Sequence, residues 1–174
     1  NYYKNLLNHK REMSVKVAVR VRPFNSREKD IGCKLSVDMN GPTTTLINPE
    51  DNKTREFSFD YSFWSHDGFE EDSRGYYQAV DDKYADQQKV FDLVGKEVLD
   101  NAWEGYHCCL FAYGQTGSGK SYSMVGYGAN KGIVPISMQD IFKRIGDNDN
   151  PDLSFQVSFS MLEIYNEKIQ DLLV

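Results

Sequence analysis

The sequence predicts an α/β fold with a central, mostly parallel sheet flanked by helices, and three of its segments carry that prediction. Ser14 to Val21, SVKVAVRV, alternates β-branched with other residues. From Gln88 onward, apolar residues recur at helical spacing. Cys108 to Tyr113, CCLFAY, is a short continuous apolar run that passes directly into a glycine-rich turn and a helix start, the pattern of a strand buried on both faces. Strands alternating with helices in this way make sheets covered by helices.

In chain order, residues 1–13 precede a sharp change of character at Met13 and read as a flexible extension or cloning remnant, leaving 14–174 as the folded part. After the Ser14–Val21 strand, Pro23 and Asn25 break the pattern. Short strands are expected at Leu35–Met39 and Thr44–Ile47, and a longer one at Glu56–Phe63, where aromatics alternate with polar residues. Residues 65–86 hold seven acids, two bases and no aliphatic run, which predicts a solvated acidic surface loop. Val90, Phe91, Val94, Val98, Leu99 and Ala102 then lie on one helical face, and Gly105 stands where that helix should stop. Beyond the glycine-rich turn, helices are expected over Ser118–Met124 and Pro135–Ile145, separated by GYGANKG. Leu153–Tyr165 alternates like a strand, with Phe155, Val157, Phe159 and Met161 on one face, and the closing NEKIQDLLV looks helical.

With 174 residues, 40% hydrophobic and 26% charged, the chain is a globular domain or a large part of one, not a disordered, collagenous or disulfide-scaffold sequence. No apolar stretch is long enough to span a bilayer and no signal peptide opens the chain, so it reads as soluble and intracellular, with no membrane insertion. Cys33, Cys108 and Cys109 are expected to be buried, reduced thiols. They show no metal-ligand spacing, and His9, His66 and His107 are scattered. The net charge of −6 divides into +6 over residues 1–34 and −12 over the rest. An acidic body argues against nucleic-acid binding, which needs a positive surface.

The most specific signal is Gly114 to Ser121, GQTGSGKS, which matches GxxxxGKS in the strand-to-helix setting its chemistry requires. Gly114, Gly117 and Gly119 let the backbone curl so that successive amides point inward, and a helix N-terminus adds partial positive charge. Gln115, Thr116 and Ser118 complete the loop. Lys120 is placed to reach β- and γ-phosphates, and the Ser121 hydroxyl suits Mg²⁺. Together they predict a P-loop NTPase fold and a site for a nucleotide's phosphates, with Lys120 and Ser121 as the catalytic pair. The later acids Asp140, Glu163 and Asp171 fit no DxxG arrangement and read as surface residues.

FAYGQTGSGKSYSM at Phe111–Met124, VAVRVRPFNSRE at Val17–Glu28 and LEIYNEKIQDLL at Leu162–Leu173 together resemble the kinesin motor domain, in the family's order. QQKVFDLVGKEVLDNAWEGYHCCLFAYGQ agrees as well, and FSFDYSFWS is most similar to the kinesin-three vesicle-transport class. The loop differs from that of myosin at Gln115 and Thr116, and RxRP ahead of it separates the chain from unrelated phosphate-loop kinases and GTPases.

The resemblance implies that Arg20, Arg22 and Pro23 lie against adenine, with Tyr122 on its other face, an arrangement of stacking and cation-π contacts. It implies an ATPase that moves along microtubules, in the cytoplasm and on the cytoskeleton, carrying cargo through an adaptor or other region. A kinesin-like protein that binds nucleotide or microtubules without motility is the alternative. The match ends about halfway through a motor, so this is its N-terminal half. By the same resemblance, both γ-phosphate switches, the main microtubule-binding elements and the neighbours of the phosphate-loop strand belong to the later half. These 174 residues alone are therefore expected to be inactive in hydrolysis.

Overall fold

The computed structural model describes residues 15–174; the expectation of a flexible extension at 1–13 lies outside them. The chain forms two units, one reaching to Met138 and one running from Gln139 to Val174.

In the first unit, β1 (Ala18–Val21) pairs in parallel with β5 (Tyr61–Trp64), Ala18 facing Tyr61 and Val21 facing Trp64. Between them the chain makes a short helix α1 (Ser26–Asp30) and an antiparallel sheet of β2 (Val37–Asn40), β3 (Thr43–Ile47) and β4 (Thr54–Ser58), in that order. The single strand expected over Glu56–Phe63 is thus two. One alternating run serves two sheets, and the chain crosses between them at Phe59 and Asp60. Phe59 N–H donates to the Pro42 carbonyl at 3.0 Å, whereas Asp60 bonds Val17 through both its amide and its carboxylate.

The acidic segment after β5 is not simply a loop. It folds as the hairpin β6 (Phe69–Glu71) and β7 (Tyr77–Ala79), and its last turn buries Tyr84 and Ala85. Its apolar content is aromatic rather than aliphatic, which is why a search for aliphatic runs misses it: Phe69 lies 5.0 Å from Tyr77 and 5.1 Å from Tyr84 between ring centroids.

The amphipathic helix forms as α2 (Gln87–Val90), a π-helical turn (Phe91–Gly95) and α3 (Lys96–Trp103), with Asp86 as its N-cap. Val90, Phe91 and Leu99 are buried together with Met39, Phe63, Trp64 and Ile133. A Cβ at Gly95 would stand 2.6 Å from Phe91 Cδ2 and 3.0 Å from Ile133 Cγ2, so the glycine permits that close approach. Gly105, at φ +93°, follows the helix end as expected.

Cys108–Tyr113 is not a strand in this structure. No described strand lies beside it, so its amides and carbonyls have no ladder to join, and Phe111 and Tyr113 are fully accessible at 86% and 101%. The expectation of buried thiols is corrected: Cys108 and Cys109 share that lack of cover, and Cys33, in the open segment after α1, is exposed as well. Helix α4 (Lys120–Met124) follows, then a small hairpin of β8 (Gly126–Tyr127) and β9 (Asn130–Lys131) within the GYGANKG segment, and α5 starts at Ile133 and runs to Gly146.

In the second unit, the strand expected over Leu153–Tyr165 forms only at its end, as β10 (Leu162–Tyr165). The closing segment is not helical. It is β11 (Lys168–Asp171), antiparallel to β10, because Asn166 and Glu167 take φ +46° and +62° and close a two-residue turn matched to strand twist. Asp140 is bound to Arg144 one helical turn on at 2.8 Å, and Asp171 accepts the Leu173 amide, consistent with surface roles for both acids.

Candidate functional site

The glycine-rich turn lies between the exposed apolar run and α4. Gly114, Gly117 and Gly119 all have positive φ, at +151°, +80° and +97°, values that exclude most side chains. Space adds a second constraint at Gly114, where a Cβ would stand 2.5 Å from Ser118 Oγ. Ser118 N–H donates to the Gln115 carbonyl at 3.1 Å and closes the turn, while Gln115 and Thr116 are exposed on its rim. The helix begins at Lys120, two residues later than expected. Its first i to i−4 bond runs from Ser123 N–H to the Gly119 carbonyl at 3.0 Å, so the Lys120 and Ser121 amides stand ahead of the ladder as donors. With only five residues, α4 adds little macrodipole, and the anion-binding capacity rests on these amides and on Lys120.

Lys120 Nζ donates to the carbonyls of Gly114 at 2.8 Å and Gln115 at 3.0 Å, which places the ammonium over the mouth of the loop. The Ser121 side chain is exposed beside it. The donor set therefore suits a polyphosphate: loop amides, one cation and one hydroxyl able to ligate a hard divalent ion.

The two arginines of RVRP take different positions. Arg22 Nε donates to the Gly117 carbonyl at 2.7 Å, and its terminal nitrogens form a bidentate pair with Glu28 at 2.7 and 2.6 Å. One of them also reaches the Pro23 carbonyl at 2.7 Å. The Arg22 guanidinium holds the Glu28 carboxyl down at about 2, helped by the Asn25 amide. Asn25 and Glu28 complete a capping box that starts α1, so a local helix signal fixes the carboxylate that orients Arg22.

Arg20 points into a part-buried polar cluster. Its Nε donates to Ser65 Oγ at 2.9 Å, NH1 to Gln87 Oε1 at 2.7 Å and Ser123 Oγ at 3.1 Å, and NH2 to the Ala85 carbonyl at 3.3 Å. Its Cζ lies 5.3 Å from the Tyr122 ring centroid. Burial lowers the Arg20 pKa from its ordinary value and raises that of Tyr122, the two partly offsetting each other across the contact. Arg20 thus supports Tyr122 from beneath.

Gln87 is the hub of this cluster. Besides accepting from Arg20, its Nε2 donates to the Tyr122 carbonyl at 2.7 Å and the Asn130 carbonyl at 3.1 Å. The structure places Arg20 against Tyr122 and Ser123 and Arg22 against Gly117, with Pro23 beside Arg22; the Arg20 guanidinium thus meets the Tyr122 ring directly, where the resemblance implied adenine between them. The structure adds Glu28, Ser65, Gln87 and Asn130, which sequence reasoning missed. Glu28 was legible as the fourth residue of an N-x-x-E capping box; the other three carry no local signature.

A family model described as the kinesin motor domain matches residues 20–174. Among curated relatives, a kinesin-like protein KIF28 of Rattus norvegicus is 51% identical over 163 residues, covering 92% of this chain and 16% of the relative. KIF1A of the same organism is 48% identical over 164 residues, covering 92% and 9%, in keeping with the resemblance to the kinesin-three class. Among solved structures, a dimer of KIF14 with AMP-PNP on a microtubule, in a two-heads-bound state, superposes with a TM-score of 0.81 at 42% identity. A KIF14 structure with ADP in complex with a microtubule gives 0.73 at 41%. Each covers 92% of this chain, which in turn spans 41% and 42% of those chains.

Proposed function

From its place in the kinesin motor domain family, to which this chain belongs, we infer that it is the nucleotide-binding part of an ATP-dependent microtubule motor. The observation that carries this reading is the Lys120 ammonium held across the Gly114 and Gln115 carbonyls, inside a turn whose three glycines have positive φ. An incoming polyphosphate offers that cation better acceptors than neutral carbonyls, so Lys120 transfers to the β- and γ-phosphates while the loop amides hold the chain of oxygens. The Ser121 hydroxyl would hold Mg²⁺, which would supply neutralisation of phosphate charge there. Tyr122, supported by Arg20, presents a ring to the adenine, and Arg22 ties the end of β1 to the loop at Gly117.

Hydrolysis needs groups that position water and close on the γ-phosphate. None is evident among the described residues, so we assign ATP turnover and microtubule contact to the complete motor, working in the cytoplasm on the cytoskeleton. Cargo or adaptor contacts are assigned to other regions of the protein. The test is co-sedimentation of the full-length protein with microtubules in AMP-PNP and in ADP, with ATPase and gliding assays. The reading requires nucleotide-dependent binding, microtubule-stimulated turnover and gliding. Nucleotide-dependent binding without gliding would instead establish the non-motile alternative.

A further inference from the structure

The hairpin β8–β9 has only two residues in each strand, too few to stay folded in water by themselves. What holds it is Asn130. This side chain is 5% exposed and is gripped at both ends by the acidic hairpin β6–β7 and its turn: Oδ1 accepts the Tyr77 amide at 2.9 Å, and Nδ2 donates to the Gly75 carbonyl at 2.7 Å. The Asn130 carbonyl is held in turn by Gln87. Asn130 faces Tyr127 across the strand pair, and Gly132 N–H closes the base of the hairpin on the Val125 carbonyl at 2.8 Å.

The Tyr127 backbone is thereby tied, through the strand pair, to a residue whose side chain is anchored at both ends. Tyr127 is 66% exposed, yet its ring lies 6.2 Å from that of Tyr122 with the planes 31° apart. An exposed tyrosine beside the ring assigned to the base contributes little to the core and leaves its face open to a ligand.

Resting on the nucleotide-binding reading above, we propose that Asn130 is a positioning residue for base recognition. Clamped on the acidic hairpin β6–β7, it keeps Tyr127 beside Tyr122, so that the two rings form one aromatic wall for the adenine of the nucleotide. The acidic hairpin thereby acts on the nucleotide site.

The experiment is calorimetric titration of the full-length protein with Mg·ADP and, separately, with inorganic tripolyphosphate. Wild type, Tyr127→Ala, Asn130→Ala and the double variant are compared. Each single change weakens Mg·ADP by about three- to thirtyfold, the range for one ring contact, and leaves tripolyphosphate within about twofold. The double variant binds Mg·ADP no more weakly than Tyr127→Ala, because Asn130 acts through that ring. Asn130→Ala leaves the Tyr77 amide unpaired; where it does not fold, Asn130→Asp keeps that acceptor, loses the donor to Gly75 and is read in its place. Unchanged Mg·ADP affinity, equal loss for both probes, or additive effects in the double variant would overturn the proposal. Wild type that binds neither probe would overturn the nucleotide reading itself, a distinct result.

Discussion

Arg22 joins the first strand to the phosphate loop: its Nε donates to the Gly117 carbonyl at 2.7 Å while Glu28 holds both terminal nitrogens. The fork geometry fixes the plane of the guanidinium, so the position of Gly117 depends on a carboxylate placed by the α1 capping box. Loop geometry is thereby coupled to a titratable group.

That coupling has a sign. The Glu28 pKa falls from 4.5 to about 2 on folding, so its ionised form is favoured in the native state. Its contribution to stability is fully present above pH 4.5 and is lost as pH falls through about 2. Thermal unfolding of wild type and Glu28→Gln, measured from neutral to acid pH, should show a gap that closes over this window. A gap independent of pH would refute the assignment.

Lys120→Ala should leave the fold intact, because among the described residues Lys120 bonds two carbonyls of the half-exposed loop. Removing one or two charge-assisted bonds to phosphate should weaken Mg·ADP and tripolyphosphate alike, by about ten- to a hundredfold. Unaltered affinity for either would remove Lys120 from the site.

Tyr122→Ala should discriminate between the probes. Loss of one ring contact costs about 0.5 to 2 kcal/mol toward ADP and nothing toward tripolyphosphate, which has no base. Parallel loss of both would mean that the change had disturbed the loop through Arg20 instead.

Gln87→Leu tests the buried cluster. Gln87 is 3% exposed and satisfies Arg20 NH1 and the carbonyls of Tyr122 and Asn130. A leucine of similar size leaves these groups without it, at about 1–3 kcal/mol for an unsatisfied partner, or a fall in Tm of several degrees. A melting temperature equal to wild type would show that water or neighbouring groups replace the amide.

A competent site saturated with Mg·ADP at about 100 times its Kd should gain about 2.7 kcal/mol. For this chain that is a rise of several degrees in Tm. A cooperative transition indifferent to Mg·ADP would mean that the residues described here do not bind nucleotide by themselves.

Much of the site was legible because its information is local. Positive φ at Gly114, Gly117 and Gly119 and a helix start, found at Lys120 within two residues of its expected place, each depend on a few adjacent residues; the capping box at Asn25 and Glu28 is equally local but reads only as a break in the strand pattern. The helix from Gln87 to Trp103 was legible for the same reason, through its 3.6-residue period. Alternation within Glu56–Phe63 could not reveal that the chain changes sheets at Phe59 and Asp60, since both halves share one period. Nor could the acidic composition of 65–86 reveal a hairpin built on Phe69, Tyr77 and Tyr84.

By itself, then, the sequence determined the phosphate loop, its lysine and serine, the family motifs and the main helix, all of which follow from spacing along the chain. Tertiary structure decided the rest. Whether Cys108–Tyr113 becomes a strand depends on neighbours to share its hydrogen bonds, and apolarity alone does not supply them. That Arg20 supports Tyr122, that Gln87 binds three elements and that Asn130 is clamped by the acidic hairpin are contacts between residues separated by 35 to 102 positions. Such contacts form only when the folded backbone brings the groups together, because a buried polar side chain takes its partners from whatever the packing sets beside it.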